Sequence, residues 1–389
     1  MPSTVLAPPG DAVVSQERRA EALDRFFALP SRREKPGRFW KIDLERLDLD
    51  DIALGGPDGP APRIEAPAAR GLIACPLREA AQLHSDLFQS NFGAAVRAQT
   101  QKFAALAMAL VNSGAFIYVP ADVAVDDPIV VTYTAGQSAL FPYTLVVLGR
   151  GARATIVERI ESTARRAFVC GIAEIVTAQS AHAVYASAQT LPEDSRIFFS
   201  RAAKPGRDAT VQWAAAELGS ALSVSAIDIA IDAPGIEAQI AGLFFPRGDQ
   251  HVDMISTVEH NVGDANSETL IKSAAIGSGQ ARYLGNISIA AHAQGSTASL
   301  RDDALLLSKT SHIDSVPALE IAANDVKAFH GATVGALDED QIFYMTSRGI
   351  DRTSAEKMIA LGFFEPVIAR FPTETLREQL RAALESKIG

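Results

Sequence analysis

Residues 318–350 read ALEIAANDVKAFHGATVGALDEDQIFYMTSRGI, and within them the sequence pattern changes from strand-like to helical. Leu319–Ile321 predicts the last of many short strands, and the small and polar residues at 324–331 predict a turn that leaves it. Asp338 is followed by acidic residues and by apolar residues at helical spacing, which predicts the start of a helix. The chain therefore passes here from a β-rich body to a helical tail, with His330 at the junction.

Upstream of this junction the sequence predicts a long series of short strands. From about residue 129 to residue 325 there is almost no helical period. Alternating apolar runs instead recur roughly every 12 to 18 residues, as in a β-sandwich, a barrel or a β-solenoid. Small residues are common in these runs, which favours a tightly coiled solenoid, although the period alone does not separate these folds. Typical runs are TLVVL (144–148), RIFFS (196–200), LSVSA (222–226) and RYLGNISI (282–289).

Helical patterns precede the β-rich body. Ser15 predicts the N-cap of a first helix that stops before Pro30. Apolar residues at helical spacing predict a second, longer helix over 77–111. The sequence therefore predicts three units, namely an N-terminal helical region with a linker at 1–112, a β core at 113–330 and a C-terminal helical region at 331–389.

The C-terminal tail carries two further helix signals. Thr353 with Glu356 predicts a capping box for a helix that ends near Gly362. Thr373 predicts the N-cap of the last helix, and apolar residues at helical spacing follow it. Such a pattern predicts an amphipathic last helix with an apolar face.

The composition narrows the class of protein. The chain has 389 residues, of which 48% are hydrophobic, so it can bury a large core. Its net charge of −10 argues against nucleic-acid binding, which needs basic surface. The two cysteines, Cys75 and Cys170, are far apart and predict neither a disulfide framework nor a zinc site. Since the sequence shows no secretory leader and no run of about 18 apolar residues, we expect a cytoplasmic protein that does not enter membranes.

Two histidines and a carboxylate lie close enough in sequence to suggest a polar site. His251 and Asp253 share one face of a predicted strand, because side chains alternate, and His260 lies further along. A metal site of two histidines and one carboxylate is one interpretation. The interpretation we favour is a polar ladder that fixes the register of neighbouring strands.

His330 is the sharpest single candidate for chemistry. An imidazole at the end of a strand, close in sequence to Asp325 and Lys327, can act as a metal ligand or as a proton carrier. One histidine does not make a metal site, so the residues alone favour a histidine with a structural role.

The stretch 330–350 resembles the C-terminal signature of the SufB/SufD family, the scaffold of the Suf iron–sulfur cluster assembly machinery. Gly331 resembles the SufD type, because SufB-type chains carry an acidic residue directly after the histidine. The stretch 102–128 is also similar to the family. The resemblance implies a mainly β fold, a right-handed parallel β-helix flanked by N-terminal and C-terminal helical regions. The matching motifs are HGATVG at 330–335, LDE at 337–339, FY at 343–344 and SRGI at 347–350.

The resemblance also implies a function. It implies a non-enzymatic scaffold subunit that forms a heterodimer with a SufB-type paralogue and binds a SufC-type ABC ATPase. The family histidine that matches His330 is implicated as an iron ligand at the partner interface, and many SufD-type chains have a cysteine where this chain has Ala328. No stably bound cofactor is expected, an iron ion or iron–sulfur cluster would be held transiently, and no residue is assigned to a flavin. We expect the ATPase contact on the helical tail, at Asp338, Phe343, Tyr344, Arg348, Gly349 and Ile350.

Two alternatives stay open at the level of sequence. A β-helix enzyme acting on polysaccharide needs clustered carboxylates, and the Asp228–Asp232 spacing and the Asp302–Asp303 pair support it only weakly. A homodimeric structural protein is the other alternative, since an uncovered solenoid end invites pairing. No P-loop, G-x-S-x-G or H-E-x-x-H motif occurs, so the chain carries the motif of neither an ATPase motor nor these hydrolase classes.

Overall fold

A parallel β-solenoid forms the body of the chain. The computed structural model describes residues 13–29 and 59–388. The helices of this part are α1 (Gln16–Ala28), α2 (Leu77–Leu83), α3 (Ser85–Asn91), α4 (Lys102–Leu110), α5 (Glu339–Ser347), α6 (Arg352–Ile368) and α7 (Glu374–Ile388). The strands are β1 (Arg63–Glu65), β2 (Ile73–Pro76), β3 (Ser113–Val119), β4 (Ile129–Ala135), β5 (Pro142–Leu148), β6 (Arg153–Ser162), β7 (Phe168–Thr177), β8 (His182–Gln189), β9 (Arg196–Lys204), β10 (Thr210–Glu217), β11 (Leu222–Ile231), β12 (Glu237–Phe244), β13 (His251–His260), β14 (Asn266–Ala275), β15 (Gln280–Ile289), β16 (Thr297–Leu306), β17 (His312–Ile321) and β18 (Lys327–Ala336).

The strands alternate between two sheets of nine strands each. Sheet A has the order β1-β4-β6-β8-β10-β12-β14-β16-β18, and sheet B has the order β17-β15-β13-β11-β9-β7-β5-β3-β2. Every pairing among β3 to β18 is parallel and joins strands that are two places apart along the chain, whereas β1 and β2 pair antiparallel with β4 and β3. One strand of each sheet therefore makes one coil. The predicted mainly β fold, a parallel β-solenoid with helical regions at both ends, is confirmed.

The core lies between the two sheets, where side chains of successive coils stack on one another. Trp213 of β10 lies opposite Tyr185 of β8, and the ring centroids are 4.5 Å apart. Most other inner positions hold alanine, valine or isoleucine. Adjacent strands are only about 4.8 Å apart, so each inner row has room for few bulky neighbours. This spacing explains why small residues are so frequent in the strand-like runs of the sequence.

The N-terminal helices cover the outer face of sheet B near the start of the solenoid. Phe103 of α4 stacks on Phe198 of β9, with ring centroids 3.9 Å apart. Lys102 at the start of α4 donates to the carbonyl oxygen of Phe26 in α1 at 2.6 Å, which joins the two helices. The predicted N-cap of α1 is confirmed, because the Ser15 hydroxyl accepts a hydrogen bond from the amide of Arg18 at 3.3 Å.

The predicted single helix over 77–111 is wrong, because the chain there forms three short helices. Between α3 and α4 the buried Glu174 of β7 holds an irregular segment against the sheet. Its carboxylate accepts hydrogen bonds from the backbone amides of Gly93, Ala95 and Val96 at 2.6–2.9 Å. Gly93 has a φ of 73°, a left-handed conformation that ends a helix. Backbone amides that would donate hydrogen bonds within a continuous helix therefore donate to a side chain of the sheet instead.

The C-terminal helices cover the outer face of sheet A. Phe364 of α6 packs against Phe245, with ring centroids 6.0 Å apart, and Leu380 and Leu384 of α7 are buried beside them. The predicted N-cap of α7 is confirmed, because the Thr373 hydroxyl accepts a hydrogen bond from the amide of Leu376 at 3.2 Å.

Helix α6 begins earlier and ends later than the sequence predicts. Its N-cap is Asp351, whose side chain accepts hydrogen bonds from the amide and hydroxyl of Ser354 at 3.0 and 2.6 Å. The predicted capping box of Thr353 and Glu356 is therefore wrong. The helix also passes through Gly362 and ends at Ile368, since the burial of its later residues against sheet A outweighs the low helix propensity of glycine.

The predicted turn at 324–331 is also wrong, since most of it belongs to β18, which starts at Lys327 and pairs with β16 over its whole length. β17 runs to Ile321, so Leu319–Ile321 is a strand end as predicted but not the last strand. β18 buries little surface and lacks the alternating apolar pattern by which strands are recognised.

The limits of the three predicted units remain predictions. β1 and β2 lie within the predicted N-terminal unit, and β18 runs through residue 330 to Ala336. Residues 1–12 and 30–58 of that N-terminal unit lie outside the described residues, as does residue 389. None of the helices in the described part of the chain combines the length and apolar character that crossing a bilayer requires.

Replacing Glu174 tests how the N-terminal region is fixed to the solenoid. We expect Glu174→Gln to lower the free energy of unfolding by about 2 kcal/mol, because one carboxylate oxygen that accepts backbone amides becomes a donor. Urea unfolding followed by circular dichroism measures the change. Glu161→Gln, the same substitution at an exposed position of β6, is the control and should change the midpoint little. Equal effects of both variants would contradict this account.

Candidate functional site

The end of the solenoid leaves two strand edges open. Among the described strands, β17 pairs only with β15 and β18 pairs only with β16. Each therefore presents a row of backbone amides and carbonyls without a neighbouring strand. Large apolar side chains lie on the same end, since Phe329 is 59% exposed and Val334 is 46% exposed. An open strand edge with exposed apolar residues has the features of a surface that another strand covers.

His330 lies in the middle of this open edge. It is opposite Leu300 of β16, whose side chain belongs to the core inside the solenoid. By the alternation of β18, the imidazole lies on the same side, at the uncovered end of the interior. The residue is exposed. Its place at the junction between body and tail is as predicted, but it sits within a strand and not beyond a turn.

No cluster of three potential metal ligands occurs among residues 13–29 and 59–388. Ala328 lies two positions before His330, so no thiol of this strand accompanies the imidazole. Both cysteines are buried elsewhere. Burial raises the pKa of the Cys75 thiol to about 11 and raises that of Cys170 as well, so both stay protonated at neutral pH. The described residues therefore do not place His330 in a preformed site of three ligands.

A buried carboxyl group lies just beneath the last coil. Asp302 of β16 accepts a hydrogen bond from the hydroxyl of Ser315 in β17. Burial raises the pKa of the Asp302 carboxyl to about 7. Asp302 is opposite Ala332 in the register, close to His330 along the same inner row. In the sequence Asp302 is only weak support for a carbohydrate enzyme, because its hydrogen bond with Ser315 depends on how the two sheets pack together.

The predicted ATPase-contact residues form one exposed surface on α5 and the turn after it. Asp338 caps α5, accepting the amide of Asp340 at 2.9 Å. Phe343 is 72% exposed and Tyr344 is 59% exposed. The Arg348 guanidinium lies 5.0 Å from the centroid of the Tyr344 ring. Gly349 has a φ of 88°, and Ile350 follows with its amide bound to Met345.

The structure does not bring together the three residues of the predicted polar site, His251, Asp253 and His260. His251 and His260 are the first and last residues of β13, which separates their backbones by about 30 Å. Asp253 forms a buried ion pair with Arg282 of β15, with 2.7 Å between Oδ2 and Nη2. His260 shares a hydrogen bond of 2.8 Å with the Ser267 hydroxyl. Asp253 and Arg282 join neighbouring strands, as in the ladder that we favoured.

The carboxylates that weakly supported a carbohydrate enzyme are also separated. Asp228 accepts a hydrogen bond from Gln101 at 2.5 Å beneath the N-terminal helices, whereas Asp232 accepts one from Asn261 at 2.8 Å. Asp302 and Asp303 are consecutive in a strand, so their side chains point to opposite faces of sheet A. No pair of these carboxylates shares a cleft of the kind that glycoside hydrolysis needs.

The buried imidazole of His260 should make the protein sensitive to acid. Burial lowers its pKa to about 4 from the ordinary 6.5, so the folded protein binds its proton less readily than the unfolded chain. Its contribution is fully present above pH 6.5 and falls as the pH drops toward 4, by roughly 2 kcal/mol at pH 5. Urea midpoints at pH 7.5 and 5.0 measure this loss. The loss should be smaller in His260→Asn, and equal slopes for the two proteins would contradict the assignment.

Comparisons with known proteins agree with the fold and with the family motifs at 330–350. Residues 131–363 match the model of the SUF system FeS cluster assembly, SufBD core domain, and residues 61–131 match that of the SufBD protein N-terminal region. The chain is 30% identical to the iron-sulfur cluster assembly protein SufD of Bacillus subtilis over 326 residues, which cover 82% of this chain and 74% of the relative. It is 26% identical to an iron-sulfur cluster assembly SufBD family protein of Staphylococcus epidermidis, over 95% of this chain and 89% of the relative.

The core-domain match extends over more than half of the chain and includes both β18 and α5. It therefore covers His330 and the exposed surface of α5, the two features that the sequence motifs first indicated. The resemblance predicted from those motifs is confirmed, and the chain belongs to the SufBD family of iron–sulfur cluster assembly proteins.

Proposed function

We propose that this chain is a non-catalytic scaffold subunit for iron–sulfur cluster assembly. It pairs with a SufB-type paralogue through the open end of the solenoid and binds a SufC-type ABC ATPase through α5. The observation that carries the proposal is the open edge of β17 and β18, with an exposed histidine in its middle and an exposed aromatic helix directly behind it. Family membership supports a role in cluster assembly.

The unpaired strand edges of the last coil support the pairing. The unpaired edges of β17 and β18 favour a partner that adds strands of the same spacing, as the end of a second solenoid does. Phe329 and Val334 supply apolar surface that water would otherwise contact. In isolation a second copy of this chain can occupy the same edge, so a homodimer is the expected form when the paralogue is missing.

The ATPase contact is supported by the surface of α5. Phe343 and Tyr344 project from a capped helix that buries Ile342 and packs against α6. Exposed aromatic residues beside an arginine are typical of the centre of a protein interface. The chain itself carries no nucleotide-binding loop, so a separate subunit must supply ATP hydrolysis.

In this proposal iron is a substrate of cluster assembly and not a resident cofactor of the chain. His330 offers an exposed imidazole nitrogen at the interface, and the thiolate ligands come from the partner because both thiols of this chain are buried. No described residue forms a site that we assign to a flavin.

The first experiment is purification of the tagged chain from its own cell extract at low salt. Recovery of an ATPase and a cysteine-bearing paralogue in fixed ratio supports the scaffold, whereas a chain recovered alone contradicts it.

The surface of α5 can be tested by truncating one aromatic residue. We expect Phe343→Ala to weaken ATPase binding by about 2 kcal/mol, because an exposed aromatic at an interface centre contributes about that much. Calorimetric titration of the purified chain with the ATPase measures the change. Phe27→Ala is the matched control, since Phe27 is an exposed phenylalanine of α1, far from α5 in the chain. Unchanged binding by the Phe343 variant would rule out α5 as the contact.

The role of His330 can be separated from complex formation. We expect His330→Ala to keep the complex intact and to lower cluster formation by about tenfold, since a lost ligand weakens metal binding at least as much as a lost supporting residue. Iron and sulfide content and the visible absorption of the purified complex measure this. His292→Ala, at an exposed turn position, should leave the cluster unchanged. Full cluster formation without the His330 imidazole would contradict its assignment.

A further inference from the structure

A row of three polar side chains crosses the outer face of sheet A at its last three strands. The register pairs Lys272 of β14 with Asp303 of β16, and Asp303 with Thr333 of β18. Lys272 Nζ lies 2.7 Å from Asp303 Oδ2, and the Thr333 hydroxyl donates to Asp303 Oδ1 at 2.7 Å. The side chains of Lys272 and Asp303 are only 11% and 6% exposed. This ion pair is therefore shielded from water, unlike pairs at the open surface.

The row ends against the C-terminal helices. Lys272 Nζ lies 4.4 Å from the centroid of the Phe363 ring in α6, a cation–π contact. Arg352 at the start of α6 donates to both carboxylate oxygens of Glu339 in α5, at 2.6 and 3.0 Å. The two helices are thus joined by a bidentate ion pair. A continuous set of contacts runs from α5 through α6 and Lys272 to the terminal strand.

The carboxylate at the centre of the row is charged at neutral pH. Burial alone would raise the pKa of Asp303, but hydrogen bonds from Lys272 and Thr333 outweigh it and hold the pKa below its ordinary value. Arg301 also donates to the same carboxylate, at 2.9 Å. Because Asp303 keeps its charge, it can hold the cation beneath α6 and the hydroxyl of β18 at the same time.

The position of Thr333 in β18 links the row both to α5 and to His330. Beyond Thr333 the strand ends at Ala336 and passes directly into α5 at Glu339. On the other side of Thr333 lies the half of the strand that carries His330. Only one edge of β18 is paired among the described strands, so the hydrogen bond from Thr333 to the shielded Asp303 carboxylate adds to what fixes the strand.

We propose that Lys272, Asp303 and Thr333 are positioning residues that couple helix α6 to the terminal strand and so set the position of His330. The proposal deepens the scaffold function above and rests on it for the consequence at His330. Displacement of α5 by a bound ATPase would reach α6 through the Arg352–Glu339 ion pair, and would be passed to β18 through the Asp303 carboxylate as well as through the chain at 337–338.

A double-mutant cycle tests the coupling in the isolated chain. We expect Phe363→Leu to speed hydrogen exchange of the β18 amides that donate to β16 by about threefold. In a chain that already carries Thr333→Val, the same substitution should speed this exchange by less than about 1.5-fold, because the effects of substitutions at coupled residues do not add. Valine keeps the shape of threonine and removes only the hydroxyl donor. Exchange is read by mass spectrometry on peptides around His330. Equal fold-changes in the two backgrounds overturn the proposal, because the effect then passes along the chain alone.

The purified complex separates this inference from the scaffold proposal. Thr333→Val should retain both partners and ATP hydrolysis but lower the cluster formed per ATP hydrolysed by several-fold. The control Arg370→Met breaks an exposed ion pair between the end of α6 and Glu268 of β14, without touching β18, and should leave the yield unchanged. A normal yield from Thr333→Val overturns the positioning role. If the wild-type chain captures no partners, the scaffold proposal fails, while the exchange cycle still decides whether α6 and β18 are coupled.

Discussion

Every amide and carbonyl of a parallel sheet needs a partner, and in this solenoid each coil supplies partners for the next. The start of the solenoid meets this requirement in part with two short antiparallel strands, since β1 pairs with three residues of β4 and β2 pairs with four residues of β3. The other end does not meet it within the described chain, because β17 and β18 are followed by helices that pack on the outside of sheet A. The order of elements along the chain therefore leaves the β17–β18 end of the described solenoid open.

Charged groups inside the solenoid help to set the register of its strands. Arg201 of β9 and Glu217 of β10 meet across the interior, with 3.1 Å between Nη2 and Oε1 and side chains 1% and 0% exposed. The pair joins sheet B to sheet A. A one-residue slip of either strand would move one charge to the outside and leave the other buried without its partner, which is strongly destabilising. Such pairs specify the register more than they add to stability.

The sequence predicts the fold better than it predicts local boundaries, and the reasons are physical. Repeated short apolar runs and the family motifs identify the solenoid, because every coil buries the same kind of row. β18 escapes detection because it has nothing above it to bury, so its pattern resembles a turn. His330 is found as a candidate from its motif, whereas the Lys272–Asp303–Thr333 row is not. Its members are 30 and 31 residues apart, which is one coil, and this spacing becomes a signal only when the coil length is known.

The residues available at the open end also bear on which partner completes it. This chain brings an imidazole to the edge, and Ala328 stands where a neighbouring thiol would have completed a soft ligand pair. Its cysteines are buried with raised pKa values and cannot supply thiolate there. Two copies joined end to end would therefore meet as two histidines without a sulfur ligand. On the function proposed above, cluster chemistry at this junction would need a partner of the same solenoid spacing but with a different residue at the edge, which favours the proposed heterodimer over the homodimer.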